Sequence, residues 1–179
     1  NAIGVNASPL LVNHEIGTTL ADLSPSPGLF NHTIVTYEID GITRWVDPTI
    51  PQQGGGIHNR ALPDYHFGLS LAANTTNLTP QPSPPAHQNS LTVHDTIMLD
   101  SAGNHNILRV QTIASGHFAD NFRSQLADEG AMGFAESSKT RHQDRYETSG
   151  ELAPVEYEDD RSENIWRMVE TYKIPALKN

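Results

Sequence analysis

Between Phe30 and Thr49 the sequence FNHTIVTYEIDGITRWVDPT sets two extended runs on either side of Asp40-Gly41. Asp-Gly favours a two-residue type I′ turn, in which both central residues need positive φ. No other feature of the chain constrains register so tightly. The turn places Ile39 opposite Ile42, Thr36 opposite Trp45 and Ile34 opposite Asp47. Paired residues share a face and alternate residues return to it. One face therefore collects His32, Ile34, Thr36, Thr43, Trp45 and Asp47, and the other Thr33, Val35, Tyr37, Ile39, Ile42 and Val46. His32 and Asp47 become diagonal neighbours with Cβ atoms roughly 7–8 Å apart or a little less. An imidazole and a carboxylate at that separation can hydrogen-bond, which is the base and orienting group of a nucleophilic triad. The competing reading is a solvated hairpin pair with no role.

The chain has 179 residues, enough for one domain or two small ones with a real core. Its net charge of −10 argues against a phosphate-binding surface, so nucleic acid is not an expected partner. With 36% hydrophobic residues, 12 Pro and 13 Gly, a loop-rich β-containing chain fits better than a helical bundle. No apolar run approaches the ~20 residues of a membrane-spanning helix, and no signal-peptide pattern opens the sequence. There is no cysteine, which excludes disulfides and thiolate metal sites. The opening Asn1-Ala2, without Met, reads as the remnant of an expression tag on an excised fragment.

In chain order, Leu10-Leu11-Val12 reads as a buried strand, and Ser24-Pro25-Ser26-Pro27-Gly28 as a loop into the hairpin. Pro48 ends the second hairpin strand, having no N–H to donate. Gln52–Gly56 reads as a flexible loop, and Gly68–Leu71 as a short strand. The proline-rich stretch Thr79–His87 marks a linker. The expected domains are residues 1–82 and 91–179, with the linker at 83–90. Beyond it, Leu91, Val93, Ile97 and Leu99 alternate along one strand, a turn follows at 100–104, and 106–114 forms the next. Ser115 is the candidate N-cap of a helix marked by Phe118, Phe122 and Leu126. Glu129-Gly130 interrupts it, and a more polar helix runs on to about Tyr146. Strands at 153–158 and 164–174, the latter with Trp166, Met168 and Tyr172 on one side, flank a charged turn at Glu158–Arg161. The order β-β-α-α-β-β predicts an α+β fold.

LVN at Leu11–Asn13, FNHTIV at Phe30–Val35, Asp40-Gly41 and WVDPT at Trp45–Thr49 together resemble the C-terminal half of a bacterial transglutaminase-like domain. The downstream PDYHFGLSL, Pro63–Leu71, and the C-terminal β/α module also resemble large bacterial proteins that carry this domain. The resemblance implies an antiparallel sheet remnant of a papain-like core, followed by a smaller antiparallel β module with one or two helices. It implies a Cys-His-Asp triad for acyl transfer or hydrolysis at peptide or side-chain amides. His32 would be the general base and acid, and Asp47 would fix its tautomer and stabilise the imidazolium. The family's nucleophilic Cys sits at a helix N-terminus upstream of these strands, where helix dipole and His lower its pKa. This chain lacks it, so the polypeptide alone is expected to be inactive, with the Cys upstream or lost.

A protein or peptide substrate and no cofactor follow from that resemblance, as does export to the bacterial periplasm or envelope. Loss of upstream helices would bare apolar surface on the first sheet, so self-association through it is expected. The alternative is a non-catalytic envelope module that binds a partner or carbohydrate. Trp45 could wall the site against water or serve only the core. His14, His32, His58 and His66 with Asp64 could in principle ligate a metal, but no H-x-x-x-H framework supports them. Glu156–Asp160 lacks the ligand spacing of a calcium loop. The sequons at Asn31, Asn74 and Asn77 carry meaning only in a glycosylating host.

Overall fold

A computed structural model describes residues 5–56, 60–82, 88–99, 105–148 and 150–176. It divides into two units, one of residues 1–51 and 60–85, the other of residues 52–59 and 86–179. Antiparallel sheets and one long helix make the fold α+β.

The first unit is a five-stranded sheet in the order β3-β2-β1-β4-β5. Its strands are β1 (Asn6–Val12), β2 (His32–Ile39), β3 (Ile42–Val46), β4 (Phe67–Ser70) and β5 (Thr79–Pro80). Asp40 and Gly41 both have positive φ, 54° and 71°, as a type I′ turn requires. That turn fixes Ile39 opposite Ile42 and Thr36 opposite Trp45. On the other side of β2, Leu10 faces Ile34 and Val12 faces His32. Strand parity thus delivers Leu10, Val12, Ile34 and Trp45 to one buried face, which Leu62 and Tyr65 cover from the loop before β4. Thr79–Pro80 pairs with β4 and so belongs to the sheet, not to a linker. Proline is tolerated there because β5 is an edge. Residues 83–87 of the expected linker and the expected turn at 100–104 lie outside the described residues.

The second unit is a four-stranded sheet ordered β6-β7-β9-β8, with α1 (His117–Tyr146) over one face. Its strands are β6 (Ser90–Met98), β7 (Asn106–Ser115), β8 (Gly150–Asp160) and β9 (Ile165–Ile174). Alternation along β9 buries Trp166, Met168, Glu170 and Tyr172, with Leu108, Val110 and Ala114 of β7 on the same side. Trp166 stacks between Tyr157 and Phe122, with centroids 4.7 and 6.2 Å away.

The expected interruption of the helix is present: α1 kinks at Gly130 (φ 68°, ψ 173°), where two helical runs meet. Two sequence expectations are corrected here. The N-cap is Gly116 rather than Ser115. Its φ is 64°, and a Cβ there would sit 1.8 Å from the Gln88 carbonyl oxygen. Glu158, Asp159 and Asp160 extend β8 instead of forming the turn. Asp159 is drawn in by Arg123, whose Nε donates to its Oδ1 at 2.7 Å.

Arg123 also joins a buried network in this unit. Its Nη1 donates to Asp120 Oδ1 (2.8 Å) and Asn164 Oδ1 (2.6 Å), and the Gly54 N–H donates to Asp120 Oδ1 (2.8 Å). Gln52–Gly56, expected to be a free loop, is thus held at Gly54, and the Gly55 N–H donates to the Arg161 carbonyl. Burial pushes the Asp120 carboxyl above its ordinary value, against the pull of Gly54, Arg123 and Asn164.

Candidate active site

Within the first unit, His32 opens β2 and Asp47 follows the last residue of β3. The expected pair forms: His32 Nε2 lies 2.8 Å from Asp47 Oδ2. The His32 side chain keeps 23% of its surface exposed and Asp47 only 3%. Two further residues complete the carboxylate's surroundings. Tyr65 donates its hydroxyl to Asp47 Oδ2 at 2.7 Å. Thr49 donates its N–H (2.9 Å) and hydroxyl (2.7 Å) to Oδ1. An ionised carboxylate has about four acceptor sites, and these four donors fill them.

Electrostatics follow from that geometry. Burial pushes the Asp47 carboxyl up, but the Thr49 hydroxyl, Tyr65, the Thr49 N–H and His32 outweigh it, and the group is held below its ordinary value. Asp47 is a fixed anion with no free lone pair. Burial, the hydrogen bond to Asp47 and its charge together raise the Tyr65 hydroxyl well above the ordinary tyrosine value, so Tyr65 is a permanent donor.

With Nε2–H given to Asp47, the neutral imidazole carries its lone pair on Nδ1. Nδ1 has no hydrogen-bond partner among the described residues. The ring therefore presents a directed acceptor nitrogen that can take a proton from a nucleophile and return it to a leaving group. His14 stands edge-on to His32, with centroids 6.2 Å apart, and Tyr65 lies 6.1 Å away on another side.

Tyr65 and Thr49 carry no assignment from sequence. Thr49 had a signal, because Asp-Pro-Thr matches an Asx turn in which the Asp side chain caps the N–H two residues on. Tyr65 had none, coming from the irregular loop before β4. Gln81 places that loop by accepting the Tyr65 N–H and donating to the Pro63 carbonyl. Trp45 belongs to the core cluster, packed with Tyr65 and Ile34. His66 pairs with Asp64 at 3.4 Å, and His58 lies outside the described residues. Among the described residues, no three His, Cys, Asp or Glu side chains come together as a metal site would require.

The opposite face of the same sheet holds an apolar cavity of about 760 Å³, lined by Leu11, Leu20, Leu29, Phe30, Phe67 and Leu69 among others. A second buried carboxylate, Glu170 in the second unit, accepts from the Tyr172 hydroxyl (2.7 Å) and lies 3.4 Å from His142. Among the described residues no helix is long and apolar enough to cross a membrane. Compared with known proteins, the chain gives no significant match to any family model, curated protein or solved structure.

Proposed function

We propose that this chain carries the base-and-orienter half of a Cys-His-Asp acyl-transfer site of the transglutaminase-like kind. The observation that supports it is the partly exposed His32, its Nε2 held by a saturated, buried Asp47 and its Nδ1 left open. In this reading a cysteine outside these 179 residues is the nucleophile. Its thiol proton passes to His32 Nδ1 as sulfur attacks the carbonyl of a peptide or side-chain amide. The tetrahedral intermediate collapses, the C–N bond breaks, and His32 gives that proton to the departing amine. Water or a second amine, deprotonated by His32, then resolves the thioester. Asp47 stabilises the imidazolium in each half-reaction. The polypeptide alone, having no cysteine, is inactive.

The test is the complete product of the encoding gene, assayed for amide hydrolysis and amine incorporation with and without His32→Ala. Loss of both activities in the variant supports the role of His32, and unchanged turnover refutes it. A second reading, a non-catalytic envelope module, is favoured by one feature: the Tyr65 hydroxyl on Asp47 also pins the hairpin to the Pro63–His66 loop. A gene product with Ser or Ala at the nucleophile position would favour that reading.

A further inference from the structure

The two edges of the second sheet are built differently. Edge strands expose unpaired backbone N–H and C=O groups, and natural proteins guard them with bulges, prolines and charges. Edge β8 has all three guards. Its register with β9 shifts between Glu151 and Ala153 and again between Ala153 and Glu156, it contains Pro154, and Glu151, Glu156, Glu158, Asp159 and Asp160 line it. Edge β6 has none of the first two. It pairs with β7 without interruption from Ser90 to Met98, contains no proline, and carries one acid, Asp95. That acid is already engaged by Arg145 at 3.6 Å and by the Tyr146 hydroxyl.

β6 also carries an apolar stripe that its own unit does not cover. Leu91, Val93 and Ile97 lie on the helix side, opposite Ala114, Thr112 and Leu108 of β7. Those three β7 residues are buried under α1, yet Leu91, Val93 and Ile97 are 46%, 48% and 39% exposed. An unguarded edge beside an apolar stripe is a template for an incoming extended strand.

The sequence of β6 suits itself. In an antiparallel pair, facing residues share a side of the sheet, so two copies keep their stripes together only about a residue-centred two-fold axis. Centring on Asp95 opposes like charges; centring on Val93 or Thr96 sets one apolar residue of the stripe against Asp95, as centring on His94 does, but shortens the overlap. Centring on His94 pairs the strand end to end, Ser90 against the partner's Met98. It then sets Leu91 against the partner's Ile97 and Thr92 against the partner's Thr96, both favourable cross-strand pairs. Val93 meets the partner's Asp95, the acid Arg145 and Tyr146 already hold. We propose that β6 pairs antiparallel with β6 of a second copy about a two-fold at His94, joining two four-stranded sheets into one of eight.

Sedimentation equilibrium of the 179-residue chain tests this. The wild type sediments as a dimer, and the edge variant Val93→Lys/Ile97→Lys as a monomer with unchanged circular dichroism. Met132→Lys, at an exposed position on α1, remains dimeric. Because the chain has no cysteine, register can be read by oxidative cross-linking. His94→Cys links to itself, whereas Thr92→Cys links to Thr96→Cys in mixed samples and not to itself. A monomeric wild type overturns the proposal. So does a dimer that survives Val93→Lys/Ile97→Lys, as association through the first sheet would, or a Thr92→Cys chain that links to itself as readily as to Thr96→Cys.

Discussion

His32 Nε2 meets Asp47 Oδ2 at 2.8 Å, although the two residues are fifteen positions apart and Asp47 lies just outside the paired strand. A type I′ turn and strand parity bring them together, and Tyr65 and Thr49 hold the carboxylate in place. Each of these dependencies has a measurable consequence.

Tyr65→Phe keeps the ring in the core and removes one donor from Asp47. Losing one hydrogen bond to a charged group costs about 1.5–3 kcal/mol. Urea denaturation should show a loss of that size in the first unit, and the Asp47 carboxyl, followed by NMR, should titrate at higher pH than in the wild type. No movement of Asp47 would mean that the Tyr65 hydroxyl is not its donor in solution.

Asp47 has a lower pKa folded than its unfolded value near 3.8. Its ionisation therefore stabilises the fold fully above that value, and the contribution fades as pH falls through the lower, folded value. Between pH 5 and pH 2 the wild type should lose stability more steeply than Asp47→Asn, the two curves converging in acid. Tyr65 acts in the other direction. Its raised pKa gives stability that is complete below an unfolded value near 10.0 and declines as pH rises beyond it. Parallel acid profiles for wild type and Asp47→Asn would contradict this description of Asp47.

In the second unit, Arg123→Met leaves Asp120 and Asp159 without their cation. Breaking a buried ion pair from one side costs about 3–5 kcal/mol. Gly54→Ala should be milder, about 1–3 kcal/mol of overpacking, because its Cβ would lie 2.5 Å from Asn164 Oδ1 and 2.6 Å from Arg123 Nη1. In both variants hydrogen exchange at the Gly54 amide should accelerate. An unchanged rate in Arg123→Met would show that the network does not hold this segment.

Each unit has one of the chain's two tryptophans, Trp45 and Trp166, in its core. Leu10→Ala, at a fully buried site beside Ile34, should cost about 2–5 kcal/mol. With Trp166→Phe as background, Trp45 fluorescence should report that loss. With Trp45→Phe as background, the Trp166 transition should hardly move.

The hairpin and the His32–Asp47 pair were legible because Asp-Gly sets register and register sets faces. The strand around Met168 was legible for a related reason, since its alternation matches burial on one face, and the apolar run Leu10-Leu11-Val12 marked a buried strand. Tyr65 was not, because its position depends on Gln81, sixteen residues away, and on no periodic pattern. The end of β8 was misread because Glu158–Asp160 looks like a solvated turn, while Asp159 is engaged by Arg123 from a distant helix. The segment at Gly54 looked free for the same reason: its partners, Asp120, Arg123 and Asn164, are remote in sequence.

Asp47, which can only accept, fixes His32 as the Nε2–H tautomer and leaves the lone pair on Nδ1. Long-range ¹H–¹⁵N correlation NMR of the His32 ring, at a pH where the imidazole is neutral, measures this directly. The wild type should show a protonated Nε2 and a lone-pair-bearing Nδ1, with that preference weakened in Asp47→Asn. A ring protonated on Nδ1, or a tautomer ratio indifferent to Asp47→Asn, would contradict it.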